Sequence, residues 1–275
     1  MQIELDREVK AEQNVEPGSY WLIYPKNDPE VVEEFMKIWN WERSDELVEK
    51  LTKNLDFLQP VNLNALKLIT PDEEEKFGSK ETISFNYFDI VNYLKPKETV
   101  DEKILGFMPK IKARYYSLAS DLVNTNSFST CFTVEVHEQD DIFEKGNKVI
   151  KKGVCSHYLE RLADVKTEFE LKFNKISQFK TSSEELESKV PIIFISHGTA
   201  IAPFLSVLES FKRMLKNSES KSIGDIDIYY GIRNKNHDFL FEKEITELFD
   251  YFKESNPEGN FTVHVCESRP GNTRI

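Results

Sequence analysis

Apolar residues recur along the chain with two periods, and the places where one gives way to the other mark out its elements. In Ser19-Tyr20-Trp21-Leu22-Ile23-Tyr24 most side chains are aromatic or β-branched, and Pro17-Gly18 supplies a turn just before them, so residues 1–27 read as strands. Asp28-Pro29 then opens a helix: an aspartate side chain accepts from the first unpaired N–H groups, and proline in the first turn has none to leave unpaired. Val31, Val32, Phe35, Met36 and Trp39 follow at helical spacing, and Leu47, Leu51, Leu55 and Leu58 share one face further on. Residues 28–108 are therefore expected to be mostly helical. Residues 111–165 return to strands and turns. There Phe132, Val134 and Val136 alternate with Thr133, Glu135 and His137, the pattern of a strand with one buried face.

From about residue 188 the rhythm becomes strand, loop, helix. Ile192-Ile193-Phe194-Ile195 is a short apolar run of the kind found in buried parallel strands. A helix over 204–215, a strand over 226–230, a helix over 239–252 and a strand over 261–265 follow. This alternation predicts a parallel sheet with helices on its faces, with Tyr229 and Tyr230 in the strand core. Residues 166–190 are dense in charge, among them Lys166, Glu168, Glu170 and Glu184, and read as a linker or surface excursion. The helical block interrupts two strand-rich regions, as an insertion would. With 275 residues there is room for two domains.

Composition narrows the partners. Hydrophobic content of 39% against 31% charged is ordinary for a soluble globular chain. The net charge of −12 disfavours nucleic acid or an anionic membrane surface as the main partner, while leaving room for a local basic pocket. Cys131, Cys155 and Cys266 are an odd, sparse set without metal-ligand spacing, which reads as reduced thiols. No apolar run reaches about 18 residues, so no membrane span is expected. Met1 to Asp6 lacks a basic region leading into an apolar core, so no secretory signal is expected. The cytoplasm is the expected location, an organelle matrix the alternative.

Four short segments carry candidate chemistry. In Arg114-Tyr115-Tyr116-Ser117 a guanidinium fork suited to phosphate stands beside flat aromatic faces and a hydroxyl, although taken alone the segment reads better as a plain strand with aromatics on one side and a surface arginine. Gly153-Val154-Cys155-Ser156 offers a glycine and small residues at a helix start, where backbone N–H groups and the helix dipole favour an anion; an ordinary helix capped by Ser156 is the plainer reading. Ser196-His197-Gly198-Thr199-Ala200-Ile201-Ala202-Pro203 follows a buried strand and opens a helix, the place where open α/β sheets take dinucleotides. Arg233 in Tyr230-Gly231-Ile232-Arg233, and Ser268, Arg269 and Arg274, fall at the C-terminal ends of predicted strands. Cations and hydroxyls there suit a 2′-phosphate, where a site for the unphosphorylated nucleotide usually carries an acid. His197 reads as a solvated or capping side chain, and Cys155 as a packed one.

In this order and spacing the segments make the chain similar to the ferredoxin–NADP reductase superfamily, on the branch of the diflavin reductases. The resemblance implies an α/β plus β-barrel chain: an antiparallel FAD-binding barrel over 1–175 with a helical insertion at about 28–108, then an incomplete doubly wound parallel-sheet NADP-binding domain over 176–275. It places Arg114 on the FAD pyrophosphate, Tyr116 on the flavin ring with Tyr115 beside it, and Ser117 near the redox-active nitrogen as the catalytic residue. Cys131, Phe132 and Thr133 would line the flavin, and Gly153, Val154, Cys155 and Ser156 would cradle the pyrophosphate. Gly198, Thr199, Arg233, Ser268, Arg269 and Arg274 would hold NADPH. The implied activity passes a hydride from NADPH to FAD and single electrons onward to a flavodoxin-like FMN domain, an iron–sulfur centre or haem in another chain.

Two departures stand out. Ser196 and Ala200 occupy positions where the family has glycine, and the methyl of Ala200 is expected to push a bound nucleotide outward. The chain also ends straight after the phosphate motif and begins with the barrel under way. The resemblance then implies a fragment, a short form completed by another subunit, or a degenerate member serving as a structural or cofactor-binding subunit of an electron-transfer complex.

Overall fold

A computed structural model describes residues 2–6, 15–62, 64–65, 86–94, 101–123, 127–134, 136–140, 148–164, 171–174, 182–220 and 222–268. In chain order its elements are β1 (Gln2–Asp6), β2 (Tyr20–Ile23), α1 (Pro29–Ile38), α2 (Asp45–Lys53), α3 (Tyr87–Leu94), β3 (Arg114–Ser117), β4 (Ser127–Cys131), β5 (Val136–Asp140), β6 (Lys148–Lys152), α4 (Val154–Asp164), β7 (Leu171–Asn174), α5 (Ser183–Glu187), β8 (Ile192–His197), α6 (Ala202–Lys216), β9 (Ile226–Ile232), α7 (Lys235–Asp238), α8 (Glu242–Ser255) and β10 (Phe261–Glu267). They form two compact units. One takes Met1–Leu22, Tyr115–Thr133 and Leu171–Ile275; the other takes Ile23–Arg114 and Val134–Glu170.

The second unit holds the helical block. Asp28 caps α1 by accepting from the Glu30 N–H, and Pro29 stands in the first turn, as expected. Ser44 caps α2 through Leu47. The apolar stripes of both helices meet Phe57, Tyr87, Ile104 and Met108 in one core. β5 and β6 pair antiparallel beside it, with Val136 opposite Lys152.

The first unit is built on the parallel sheet. β8, β9 and β10 run parallel in the order β10-β9-β8, with Ile192 opposite Ile226 and Phe261 opposite Ile226. α6 and α8 bury Leu205, Leu208, Phe211, Ile245, Leu248 and Phe252 against Phe194, Ile228 and Tyr230. Antiparallel pairing appears between β1 and β4, Gln2 facing Cys131, and β2 lies between β3 and β7 in a three-stranded sheet. Among the described residues no helix is long and apolar enough to cross a membrane.

Several local expectations need correction. Phe132 is buried, but Val134 is half-buried and Val136 exposed, because residues 132–134 leave the ladder between β4 and β5. β8 is not buried on both faces: Ile195 is 74% exposed and Ile193 is exposed with it, since α6 and α8 both lie across the other face. Tyr229 shares that open face, stacked on His264 with ring centroids 4.4 Å apart, while Tyr230 is core. The second long helix starts at Glu242 rather than 239, after Phe241 adopts a left-handed φ of 58°. Within the supposed linker, β7 and α5 are regular elements, and Leu186 of α5 joins the core.

A buried acid on α6 gives this unit a pH dependence. Glu209 accepts the Asp121 backbone N–H at 2.8 Å. Burial pushes its carboxyl above the ordinary value of 4.5; the Asp121 N–H it accepts pulls part of the way back, and the Asp121 carboxylate pushes up again. A folded pKa above the unfolded one means that ionised Glu209 costs stability at neutral pH, a cost that fades as pH falls towards 4.5. Glu209→Gln keeps an acceptor for the Asp121 N–H and should raise Tm slightly at pH 7. The gain should shrink in melts taken at progressively lower pH, and an equal gain at every pH would contradict this origin.

Candidate functional site

The parallel sheet presents its C-terminal edge through the turns after β8 and β9 and the end of β10. After β8 the chain enters a 3-10 turn, Gly198–Ile201, which runs into α6 with Pro203 in the first turn. Gly198 has φ of 50°, and a Cβ built there would meet nothing within 4 Å, so its backbone faces open space. The Tyr230 hydroxyl donates to the Gly198 carbonyl at 2.9 Å and fixes the turn. Burial pushes that phenol up to about 12, so it stays a donor. Thr199 is half-buried; His197 and Ala200 are exposed. Ser196, in place of a family glycine, lies 8% exposed with its Oγ buried and without a partner. Its side chain therefore occupies the core, away from the open side of the turn. The open Gly198 backbone fits an approaching phosphate, and the only added bulk on the turn is the Ala200 methyl.

The ends of β9 and β10 complete this edge. Gly231 allows close approach to β8: a Cβ there would lie 3.3 Å from the Cβ of His197. Arg233 is exposed and pairs with Asp238 at 3.4 Å, while Asp238 also accepts the Asn234 N–H. Ser268 donates both its N–H and its hydroxyl to the Ile232 carbonyl, at 2.9 and 3.2 Å. Topology thus brings Gly198, Thr199, Arg233 and Ser268 to one edge. Arg269 and Arg274 lie outside the described residues. Sequence reasoning missed two carboxylates here, Asp238 and Glu267; Glu267 accepts the Lys235 N–H at 2.6 Å. Their signal was weak, because each reaches its partner only through the turn after β9.

The aromatic segment divides by strand alternation. Tyr116 is half-buried, with ring centroids 5.8 Å from Trp21 and 5.7 Å from Phe132. Tyr115 points the other way, 65% exposed and edge-on to Tyr20 at 5.5 Å. Ser117 is half-buried, and its carbonyl accepts from Thr130 Oγ1 at 2.8 Å. Cys131 is buried, which pushes its thiol up and keeps it neutral; Thr133 is exposed. Arg114, which the other unit contains, donates from one guanidinium nitrogen to the Lys112 carbonyl at 2.8 Å. In that unit α4 starts at Val154, directly after the half-buried Gly153, with no acidic residue in its first turn. Cys155 and Ser156 are buried, and the Ser156 hydroxyl donates back to the Gly153 carbonyl at 3.2 Å, so Ser156 is not the helix cap.

Residues 194–274 match the oxidoreductase NAD-binding domain family. The chain is 28% identical over 220 residues to the NADPH–cytochrome P450 reductase of Musca domestica, covering 78% of this chain and 30% of that protein. To the NADPH–cytochrome P450 reductase of Cavia porcellus it is 24% identical, covering 90% of this chain and 42% of the relative. To the bifunctional cytochrome P450/NADPH–P450 reductase 2 of Bacillus subtilis it is 22% identical, covering 98% of this chain and 27% of the relative. The chain spans less than half the length of each.

Proposed function

We propose that the chain is an NADPH-dependent FAD oxidoreductase module of the ferredoxin–NADP reductase superfamily, on the diflavin reductase branch, a reading that its likeness to the NAD-binding domain family and to NADPH–cytochrome P450 reductases supports. The antiparallel strands of residues 1–175 are read as an FAD barrel and residues 176–275 as the NADP domain. Bound together, the two cofactors supply hydride transfer followed by release of single electrons. The protein's own part is to bind, orient and shield. Gly198 and Thr199 would hold the nucleotide's phosphates on exposed backbone, and Arg233, Ser268, Arg269 and Arg274 its 2′-phosphate. Arg114 and the start of α4, Gly153 to Ser156, would hold the FAD pyrophosphate. Tyr116, braced by Trp21 and Phe132, would present a ring to the flavin, with Tyr115, Cys131, Phe132 and Thr133 around it. Ser117 would hold a proton near the reactive nitrogen. The electrons would leave to an FMN-binding, iron–sulfur or haem partner in another chain, in the cytoplasm or an organelle matrix.

The observation that carries this reading is the open Gly198 turn, pinned by Tyr230, inside the stretch that matches the NAD-binding domain. Anaerobic mixing of FAD-loaded protein with NADPH tests it. Bleaching of the flavin on a catalytic timescale is expected. Bound FAD that stays oxidised would favour the second reading, a cofactor-binding structural subunit, for which Ala200 in place of glycine speaks. A protein that takes up no FAD would overturn the barrel assignment.

Nucleotide preference is a finer check. One charge-assisted contact to the 2′-phosphate is worth about 1.5–3 kcal/mol, and 1.4 kcal/mol is about ten-fold in affinity. Arg269→Ala should therefore weaken NADPH by about ten-fold or more, leave NADH nearly unchanged and leave FAD content intact, as read by titration of both nucleotides. Equal binding of the two by the unmutated protein would mean that this corner is wrongly assigned.

A further inference from the structure

β8 (Ile192–His197) ends the sheet order β10-β9-β8, and among the described residues no strand pairs with its other side. The Ile192 N–H donates to the Asp225 carbonyl, so Ile192, Phe194 and Ser196 turn their backbone groups towards β9. Alternation then points the N–H and C=O of Ile193, Ile195 and His197 outward. Edge strands are ordinarily guarded by charge, a bulge or an internal proline. From Val190 to His197 there is no acid, lysine or arginine, and Pro191 precedes the strand. Ile193 and Ile195 are 60% and 74% exposed on the open face of the sheet.

This edge is complementary to itself. A second β8 laid antiparallel, with the two-fold axis at Phe194, sets Ile193 opposite the partner's Ile195 and Ile195 opposite the partner's Ile193. These residues carry the outward backbone groups, so both rungs are hydrogen-bonded pairs, and Phe194 meets its own copy between them. Four isoleucines then form one strip on the open face, extended at each end by Tyr229, which is level with Ile195. Moving the axis to Ile195 would set Ile193 against the partner's His197 and break the strip. Charge points the same way. Each copy carries −12, so two copies repel wherever charged surfaces meet. Here the strand is uncharged, and Asp227, level with Ile193, is held by His264 at 2.8 Å.

We infer that β8 is a self-association edge, through which a second copy of this chain joins the sheet across a two-fold axis at Phe194. A strand of 6 residues on each side covers less than the roughly 800 Å² per partner of a standard interface. The dimer is therefore weak, with Kd of about micromolar or above. The inference stands apart from the cofactor reading, since no step of it uses FAD or NADPH.

Sedimentation equilibrium of the full chain over about 1–200 μM tests it. The mean mass should climb from monomer towards dimer, and added salt should strengthen association by screening the repulsion between two copies of charge −12. Ile195→Lys alters an exposed side chain, so it should fold, with circular dichroism as the check, and should weaken the dimer about ten-fold or more. Ile193→Cys and Ile195→Cys, each combined with Cys266→Ser, test the register. Positions 193 and 195 of opposite copies lie about 5.5 Å apart between Cα atoms, within disulfide reach, whereas like positions lie beyond about 7 Å. Oxidation should therefore crosslink the mixture of the two variants and neither one alone. A chain that stays monomeric at every concentration overturns the inference and leaves the edge to a strand from a different protein. A dimer unchanged in folded Ile195→Lys overturns the interface, and a crosslink formed by either cysteine variant alone overturns the register.

Discussion

Replacing Arg213 by alanine should cost the sheet-containing unit about 3–5 kcal/mol, because it strands a buried carboxylate. Arg213 Nε donates to Asp121 Oδ2 at 2.6 Å, and its NH1 reaches both Glu219 oxygens. Asp121 is only 6% exposed, and Glu209 lies against its backbone. Without the guanidinium, the buried Asp121 carboxylate loses its cation and remains beside Glu209, already disfavoured by burial. The urea midpoint should drop steeply. The double variant Arg213→Ala/Asp121→Asn should recover part of the loss, since the buried Asp121 charge is then gone. A loss below about 1 kcal/mol in the single variant would mean that water reaches Asp121 and that the pair is an ordinary surface bridge.

Phe35→Ala should cost the helix-rich unit a similar amount, about 3–5 kcal/mol, by opening a cavity in an aromatic stack. Phe35 is fully buried; its ring centroid lies 4.5 Å from Phe57 and 4.8 Å from Trp39, with Trp41 edge-on at 6.0 Å. Because Trp39 and Trp41 flank the cavity, their fluorescence reports the unfolding directly. Phe35→Leu keeps most of the volume and should lose under about 1.5 kcal/mol. Equal losses in the two variants would point to something other than a cavity.

What could be read from the residues in advance depended on how local its cause is. The Asp28-Pro29 start of α1, the stripe from Val32 to Trp39 and the strand–helix alternation after residue 190 rest on neighbours within a turn or two, and they appear as expected. The Gly198 turn was legible for the same reason. Alternation at Phe132, Val134 and Val136 misled, because a period of two says nothing about where pairing stops, and pairing of β4 is set by β1, more than 120 residues away. The exposure of Ile195 depends on which face α6 and α8 cross, which no pattern within β8 records. The Asp121–Arg213 pair joins residues 92 apart, and the Asp28–Arg161 pair residues 133 apart. For such pairs the sequence offers two charges and no means of matching them.

The hydrogen bond from the Gly18 N–H to the Ser206 hydroxyl, which in turn donates to the Ser120 carbonyl, joins residues 188 positions apart. On a ribosome adding about 5–20 residues per second, the turn before β2 waits roughly 10–40 s for its partner to be made. The run 23–114, by contrast, carries most of its own unit and is complete long before α6 emerges. During synthesis the helical insertion can therefore close first, and β2 has β3 and β7 to pair with before α6 emerges, so the turn ahead of it is the last part of that edge to be tied down.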